Sequence, residues 1–266
     1  MTVGFNYLGK LGQLGNQMFQ YASTKGIASY HGVPFKIPNH DEVLVDVLGN
    51  KLYIELFKCF KIELLNEGLI NGEELREEGF EVNRKFFTFD KRYDYNLVGF
   101  FQSEKYFKYI KDEIRKDFTF KDDIVVECLD IIDSHYDNPI ALHVRRGDFL
   151  KNSGNHHNLS IDYYKEALSK FDSNRQVIIF TDDPQWAMKE PLFDDDRFIV
   201  STGNSSYHDL YLMSQCNDFI IANSTFSWWG AWLANKGKVI APSKWFGPNN
   251  SHLNTKDLYP DEWEVI

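Results

Sequence analysis

The feature that most constrains this chain is the regular exchange of strand and helix patterns along its second half. Runs rich in β-branched and aromatic residues at 139–145, 176–180, 197–200, 218–222 and 238–241 alternate with stretches of helical period. Strands separated by helix-length segments do not close as hairpins; they read as βαβ units around a parallel sheet. Ser160 caps a helix carrying Ile161, Tyr164, Leu168 and Phe171 at helical spacing, and further helices are expected from Asp183-Pro184, at 207–216 and at 226–235. Along the strand 139–145, Ile140, Leu142 and Val144 face one way and Ala141, His143 and Arg145 the other.

The first half is less regular. A strand at 3–8 leads through Gly9, Gly12 and Gly15 into a helix at 16–30, with Leu14, Met18, Tyr21 and Ala22 on one stripe and Gly32 as its stop. A strand at 33–37, two short helices within 40–100 and a helical pattern at 101–118 follow, before a helix at 122–135 enters the regular half. A chain of 266 residues suits two modest domains. The change in regularity divides it into an N-terminal domain, 1–125, and a C-terminal domain, 126–266.

The net charge of −10 disfavours nonspecific binding to nucleic acid or anionic membrane, so a phosphorylated ligand needs a local basic pocket. The three cysteines, Cys59, Cys128 and Cys216, are isolated and odd in number, which argues against disulfides and zinc and for a reducing compartment. No leader pattern and no long apolar run are present, so a cytoplasmic protein without a membrane span is expected, with peripheral membrane contact left open.

Chemistry-bearing residues gather at the ends of the strands. His143-Val144-Arg145-Arg146-Gly147-Asp148 sets two guanidiniums and an imidazole at the carboxyl end of a strand, where doubly wound sheets bind ligands. Arginine forks hold fixed, permanently charged donor pairs that match a diphosphate; a purely structural Arg–Asp cluster has the same composition. In Thr181-Asp182-Asp183-Pro184, Asp183 can cap a helix whose first residue is Pro184, which does not account for Asp182; a carboxylate here can accept the edge donors of a guanine, and the pair also resembles an acidic metal motif. Asn223-Ser224-Thr225-Phe226-Ser227 ends a strand and opens a helix, so hydroxyls and free N–H groups make an anion site, unless Ser224 or Thr225 simply caps. That helix is apolar on most sides, and its tryptophans read as core. At the start of the first helix, Asn16 and Gln17 suit uncharged sugar hydroxyls, although Asn16 would equally serve as a cap. His156 and His157 lie in a polar loop able to cover a ligand, and Asp194-Asp195-Asp196 reads as a solvated turn or as a metal-binding alternative.

Taken together, the stretches GQLGNQMFQYA, HVRRGD, TDDP and NSTFSWWGAWLA stand in the order and spacing of the α-1,2-fucosyltransferases of glycosyltransferase family 11, which the chain resembles over most of its length. GFFQSEKYF at 99–107 and DLYLMS at 209–214 join the resemblance, and 40–95 matches least. The resemblance implies an α/β GT-B fold of two Rossmann-like domains with the active site in the interdomain cleft. It also implies a GDP-β-L-fucose donor on the C-terminal half, a glycan acceptor with a terminal β-galactose fucosylated at O2, and neither metal nor cofactor. By motif, Arg145 would hold the departing β-phosphate with support from Arg146, His143, Asp182 and Asp183 would read the guanosine, and Asp148 would be the base. Ser224, Thr225 and the neighbouring groups of Asn223, Phe226 and Ser227 would take phosphate oxygens, and Asn16 and Gln17 would face the acceptor. Two other classes stay open on sequence: a metal-dependent transferase using the aspartates, and a non-catalytic carbohydrate-binding module built on the aromatic residues.

Overall fold

Short parallel strands need partners on both sides and helices on both faces, and the second half supplies both. A computed structural model describes residues 1–39, 44–45, 51–63, 67–132 and 137–266. The chain falls into two units: Met1–Lys121 with Asn254–Pro260, and Asp122–Leu253 with Asp261–Ile266.

The first unit contains β1 (Val3–Gly4), α1 (Leu14–His31), β2 (Phe35–Lys36), β3 (Leu44–Val45), β4 (Lys51–Leu52), α2 (Leu56–Cys59), β5 (Glu73–Arg76), β6 (Tyr95–Val98) and α3 (Lys111–Asp117). Its sheet runs β2-β1-β6-β5, all parallel, beside a separate β3–β4 hairpin. The helix expected at 16–30 starts two residues earlier and stops at Gly32, whose backbone is left-handed at φ 67°. The strand expected at 3–8 is only two residues long, because the chain turns from Asn6 to Lys10. The helical pattern at 101–118 resolves into single 3-10 turns at Glu104–Tyr106 and Lys108–Ile110 followed by α3. Parts of the helices expected within 40–100, and residues 133–136 at the end of the helix expected at 122–135, lie outside the described residues.

The second unit contains α4 (Asp122–Ile132), β7 (Ile140–Val144), α5 (Gly147–Lys151), α6 (Ile161–Leu168), β8 (Val177–Thr181), α7 (Pro184–Ala187), β9 (Phe198–Val200), α8 (Ser206–Gln215), β10 (Asp218–Ile220), α9 (Thr225–Ala234), β11 (Val239–Ala241) and β12 (Glu264–Val265). Its sheet order is β12-β11-β10-β7-β8-β9, again all parallel. Ile140, Leu142 and Val144 do share one face, packed with Val177, Ile179, Tyr164, Ala167 and Leu168 in a single core. On α9, Trp228 and Trp229 are wholly buried and ring-packed against each other and Trp232, as expected of core residues.

This strand order locates the ligand crevice. From β7 the chain winds outward through β8 to β9, then returns to place β10 on the other side of β7. Loops leaving the carboxyl ends of β7 and β10 therefore diverge, opening a gap at this switch point. The first unit repeats the device between β1 and β6. The fold is thus α/β with two parallel-sheet units. Among the described residues, no helix is long and apolar enough to cross a membrane.

Candidate active site

At the β7–β10 switch point two of the sequence motifs meet directly. His143 Nδ1 lies 2.9 Å from Ser227 Oγ in the first turn of α9. Ser227 Oγ also lies 3.2 Å from the Ser224 carbonyl and 3.4 Å from that of Ala222, so the imidazole is anchored at Nδ1 to the turn that opens α9. Burial, reinforced by the charge of Arg145, pushes this imidazole down to about 3, so it is neutral at physiological pH.

Ser224 has the extended backbone of a helix N-cap, yet its side chain makes no capping hydrogen bond. The simple capping reading of Ser224 therefore fails. Its hydroxyl and the first-turn N–H groups of a ten-residue helix could hold an anion, with the positive end of the helix dipole behind them. Asn223 is built in differently: buried, it donates from Nδ2 to the carbonyls of His157 and Trp245, both at 2.8 Å, and so ties the 157 loop to residue 245.

The arginines are held by the acidic residues. Arg145 Nη2 is 2.8 Å from Asp148 Oδ1, and its Nε is 3.2 Å from Asp182 Oδ2. Asp182 Oδ1 also accepts the Arg146 backbone N–H at 2.8 Å. Arg146 Nε pairs with Asp183 Oδ2 at 3.2 Å, and its guanidinium lies 4.0 Å over the Trp186 ring. Asp183 caps α7 as expected, accepting from the Trp186 N–H at 3.2 Å. Gly147 allows a close approach, since a Cβ there would stand 2.7 Å from Asp182 Oδ2 and that carboxylate would have to shift.

The carboxylates of Asp182 and Asp183, expected to read guanosine, pair with the arginines. Asp148 clamps Arg145, and three aspartates around two arginines make this an ion-pair network rather than a simple cationic pocket. What it offers a ligand is orientation: two carboxylates grip one edge of the Arg145 fork, and no partner engages Nη1 of Arg145 or either Nη of Arg146 among the described residues.

Phe149 and Trp186 escaped sequence reasoning as parts of this cluster, and His156, expected in a loop able to cover a ligand, joins them. Phe149 stacks on His156 at 4.0 Å and lies 5.4 Å from the Arg145 guanidinium. After Arg146 the chain coils into α5, which brings Phe149 close to Arg145. In the first unit, Asn16 accepts from Gln102 Nε2 at 2.9 Å. Gln17 is buried and fully engaged, donating to the Gly12 and Tyr53 carbonyls and accepting from the Glu55 N–H. The Asp194–Asp196 run is an exposed turn in which Asp195 accepts from the Arg197 N–H.

The sequence profile described as "Glycosyl transferase family 11" matches residues 4–266. The chain is 31% identical to an alpha-1,2-colitosyltransferase of Escherichia coli over 96% of both chains. It is 25% identical to the galactoside alpha-(1,2)-fucosyltransferase 1 of Ateles belzebuth over 86% of this chain and 65% of that one. In fold it is similar to the alpha-1,6-fucosyltransferase NodZ soaked with GDP-fucose, with a TM-score of 0.58 at 14% identity over 95% of this chain and 97% of that one. The likeness to NodZ is one of architecture, the GT-B arrangement of parallel-sheet units. The chain is a glycosyltransferase and belongs to glycosyl transferase family 11.

Proposed function

We propose that the chain transfers fucose from GDP-β-L-fucose, with inversion and without a metal ion, to O2 of a terminal β-galactose on an acceptor glycan. The observation that carries this reading is the uncapped start of α9, tied through Ser227 to His143 on β7, the strand that Arg145 and Arg146 follow.

When the C1–O bond of the donor breaks, charge develops on the β-phosphate. Donors already aimed at that position stabilise it more in the transition state than in the ground state. Arg145, aligned by Asp148 and Asp182, supplies one such donor edge from Nη1. The Nη groups of Arg146, the Ser224 and Thr225 hydroxyls and the N–H groups of Thr225, Phe226 and Ser227 take the remaining phosphate oxygens. The neutral imidazole of His143 reads a polar group of the guanosine through Nε2. Asp182 and Asp183 act by holding the arginines, and Asn223 by holding the loops around the site. Asp148 keeps Oδ2 for the proton released by the acceptor hydroxyl while Oδ1 orients Arg145. Asn16 meets the acceptor sugar, and Gln17 shapes the start of α1.

A second donor is favoured by one observation, the colitosyltransferase relative. Colitose is fucose without its 3-hydroxyl, so a site that leaves this position unbonded would accept both sugars. The decisive experiment incubates the enzyme with GDP-fucose or GDP-colitose and a panel of galactosides in excess chelator, followed by linkage analysis. Transfer to O2 from GDP-fucose is expected. Loss of turnover in chelator would reject the metal-free mechanism, another linkage would reject the acceptor position, and a preference for GDP-colitose would reassign the donor.

A further inference from the structure

Three unfavourable features converge on one turn of the first unit. Phe101 sits in the left-handed region at φ 52°, where side chains other than glycine are strained. Gly99, at φ 159°, admits no Cβ, because one would lie 2.5 Å from that of Glu77. Gln102 is buried with its Oε1 atom unpaired, a loss that ordinary packing would avoid.

Two side chains hold this turn: Ser23 on α1 donates from Oγ to the Phe101 carbonyl at 3.2 Å, and Glu77 takes the N–H side. Glu77, just past the end of β5, accepts through a single oxygen, Oε2, from the N–H groups of Phe100 at 2.9 Å and Phe101 at 2.8 Å. The turn so fixed points Gln102 at α1, where its Nε2 donates to Asn16 Oδ1 at 2.9 Å. That bond sets the Asn16 amide with oxygen inward, which leaves the two N–H donors of Nδ2 for an outside partner. Asn16 follows β1 and Gln102 follows β6, the neighbouring strands at the switch point of this unit. A strained backbone and a buried unpaired carbonyl persist where the arrangement serves a task, and here both end on one amide.

We infer that Glu77 is a positioning residue for acceptor binding: it pins the Gly99–Phe101 turn so that Gln102 presents the Asn16 amide donors to a hydroxyl of the acceptor sugar. This rests on the reading that Asn16 meets the acceptor. Four variants separate the two ideas, each measured for transfer kinetics with either substrate varied and for Tm. Asn16→Ala should raise the acceptor KM by roughly tenfold, the loss of about one hydrogen bond, with the donor KM unchanged. If it does not, the reading of Asn16 fails. Glu77→Ala should raise the acceptor KM to a similar degree, whereas Glu77→Gln, whose carbonyl still accepts both N–H groups, should stay within about twofold of the parent. Gln102→Leu removes the bond to Asn16 together with the unpaired carbonyl, so it should keep or raise Tm while raising the acceptor KM. With Asn16→Ala impaired, an unchanged acceptor KM in Gln102→Leu overturns the inference even where Glu77→Ala fails to fold. Equal damage from Glu77→Gln and Glu77→Ala overturns it as well.

Discussion

Replacing Arg145 tests the charge argument most directly. Its guanidinium is gripped by Asp148 at 2.8 Å and Asp182 at 3.2 Å, so in Arg145→Ala both carboxylates lose a partner and three aspartates face the single remaining arginine. The cost to folding comes mainly from the Arg145–Asp182 pair, whose side chains are only 23% and 24% exposed, since the Asp148 side chain is 63% exposed and a solvent-screened pair contributes about 1 kcal/mol or less. The cost to catalysis is larger. Removing one pre-aimed donor from a developing oxyanion raises the barrier by about 3 kcal/mol, a fall of roughly 10²–10³ in kcat. Arg145→Lys keeps the charge but cannot satisfy two carboxylates and still present a donor edge, so it should recover little of the loss. The assay is steady-state transfer at saturating donor, with GDP affinity by calorimetry and Tm by scanning fluorimetry. A kcat within about fivefold of the parent, or a loss confined to the donor KM, would refute transition-state stabilisation by Arg145.

Other expectations are as direct. Gly147→Ala drives a methyl to 2.7 Å from Asp182 Oδ2 and should displace that carboxylate from Arg145 and Arg146; transfer should fall at least about tenfold, with a stability loss of about 1–3 kcal/mol seen in urea melts. His143 titrates near 3 when folded and near its ordinary value when unfolded, so the folded state binds fewer protons. Stability should then decline by about 1.4 kcal/mol per pH unit as pH falls from about 6.5 toward 3, a slope missing from His143→Gln. Glu77 behaves with the opposite sign: burial lifts its carboxyl to about 7 against the pull of the Phe101 and Phe100 N–H groups, the Tyr106 hydroxyl and the charge of Lys85. Its contribution is complete below about 4.5 and is lost as pH rises to 7. The Tm of the parent relative to Glu77→Gln should therefore fall between pH 5 and pH 8, and a flat difference would show that Glu77 titrates normally.

Much of the second half is legible in local pattern. Alternating apolar residues place Ile140, Leu142 and Val144 on one face of a buried strand, because side chains along a strand point to opposite sides in turn. Asp183-Pro184 marks the start of α7, because capping involves only residues within one turn. The strands β5 and β6 carry no such mark. Glu73-Glu74-Leu75-Arg76 is polar and mostly exposed, and it is held in its sheet by parallel pairing with 95–98, a non-local bond invisible in the segment. The same holds for residues 254–260, which belong to the first unit although regularity places them with the second half; Asp257 fastens them there by accepting from the Val82 N–H and pairing with Lys105.

By itself the sequence determined the parallel α/β architecture of its second half, the motifs at the strand ends and the family, since each is written in residues close together along the chain. Only the tertiary structure decided which groups those motifs engage. It joined His143 to Ser227 across 84 positions, turned Asp182 and Asp183 toward the arginines, sank Gln17 among backbone groups and linked Glu77 to Asn16 through Gln102. The physical reason is reach: hydrogen bonds and ion pairs act over about 3 Å, and which side chains come that close is set by strand order rather than by spacing in the chain.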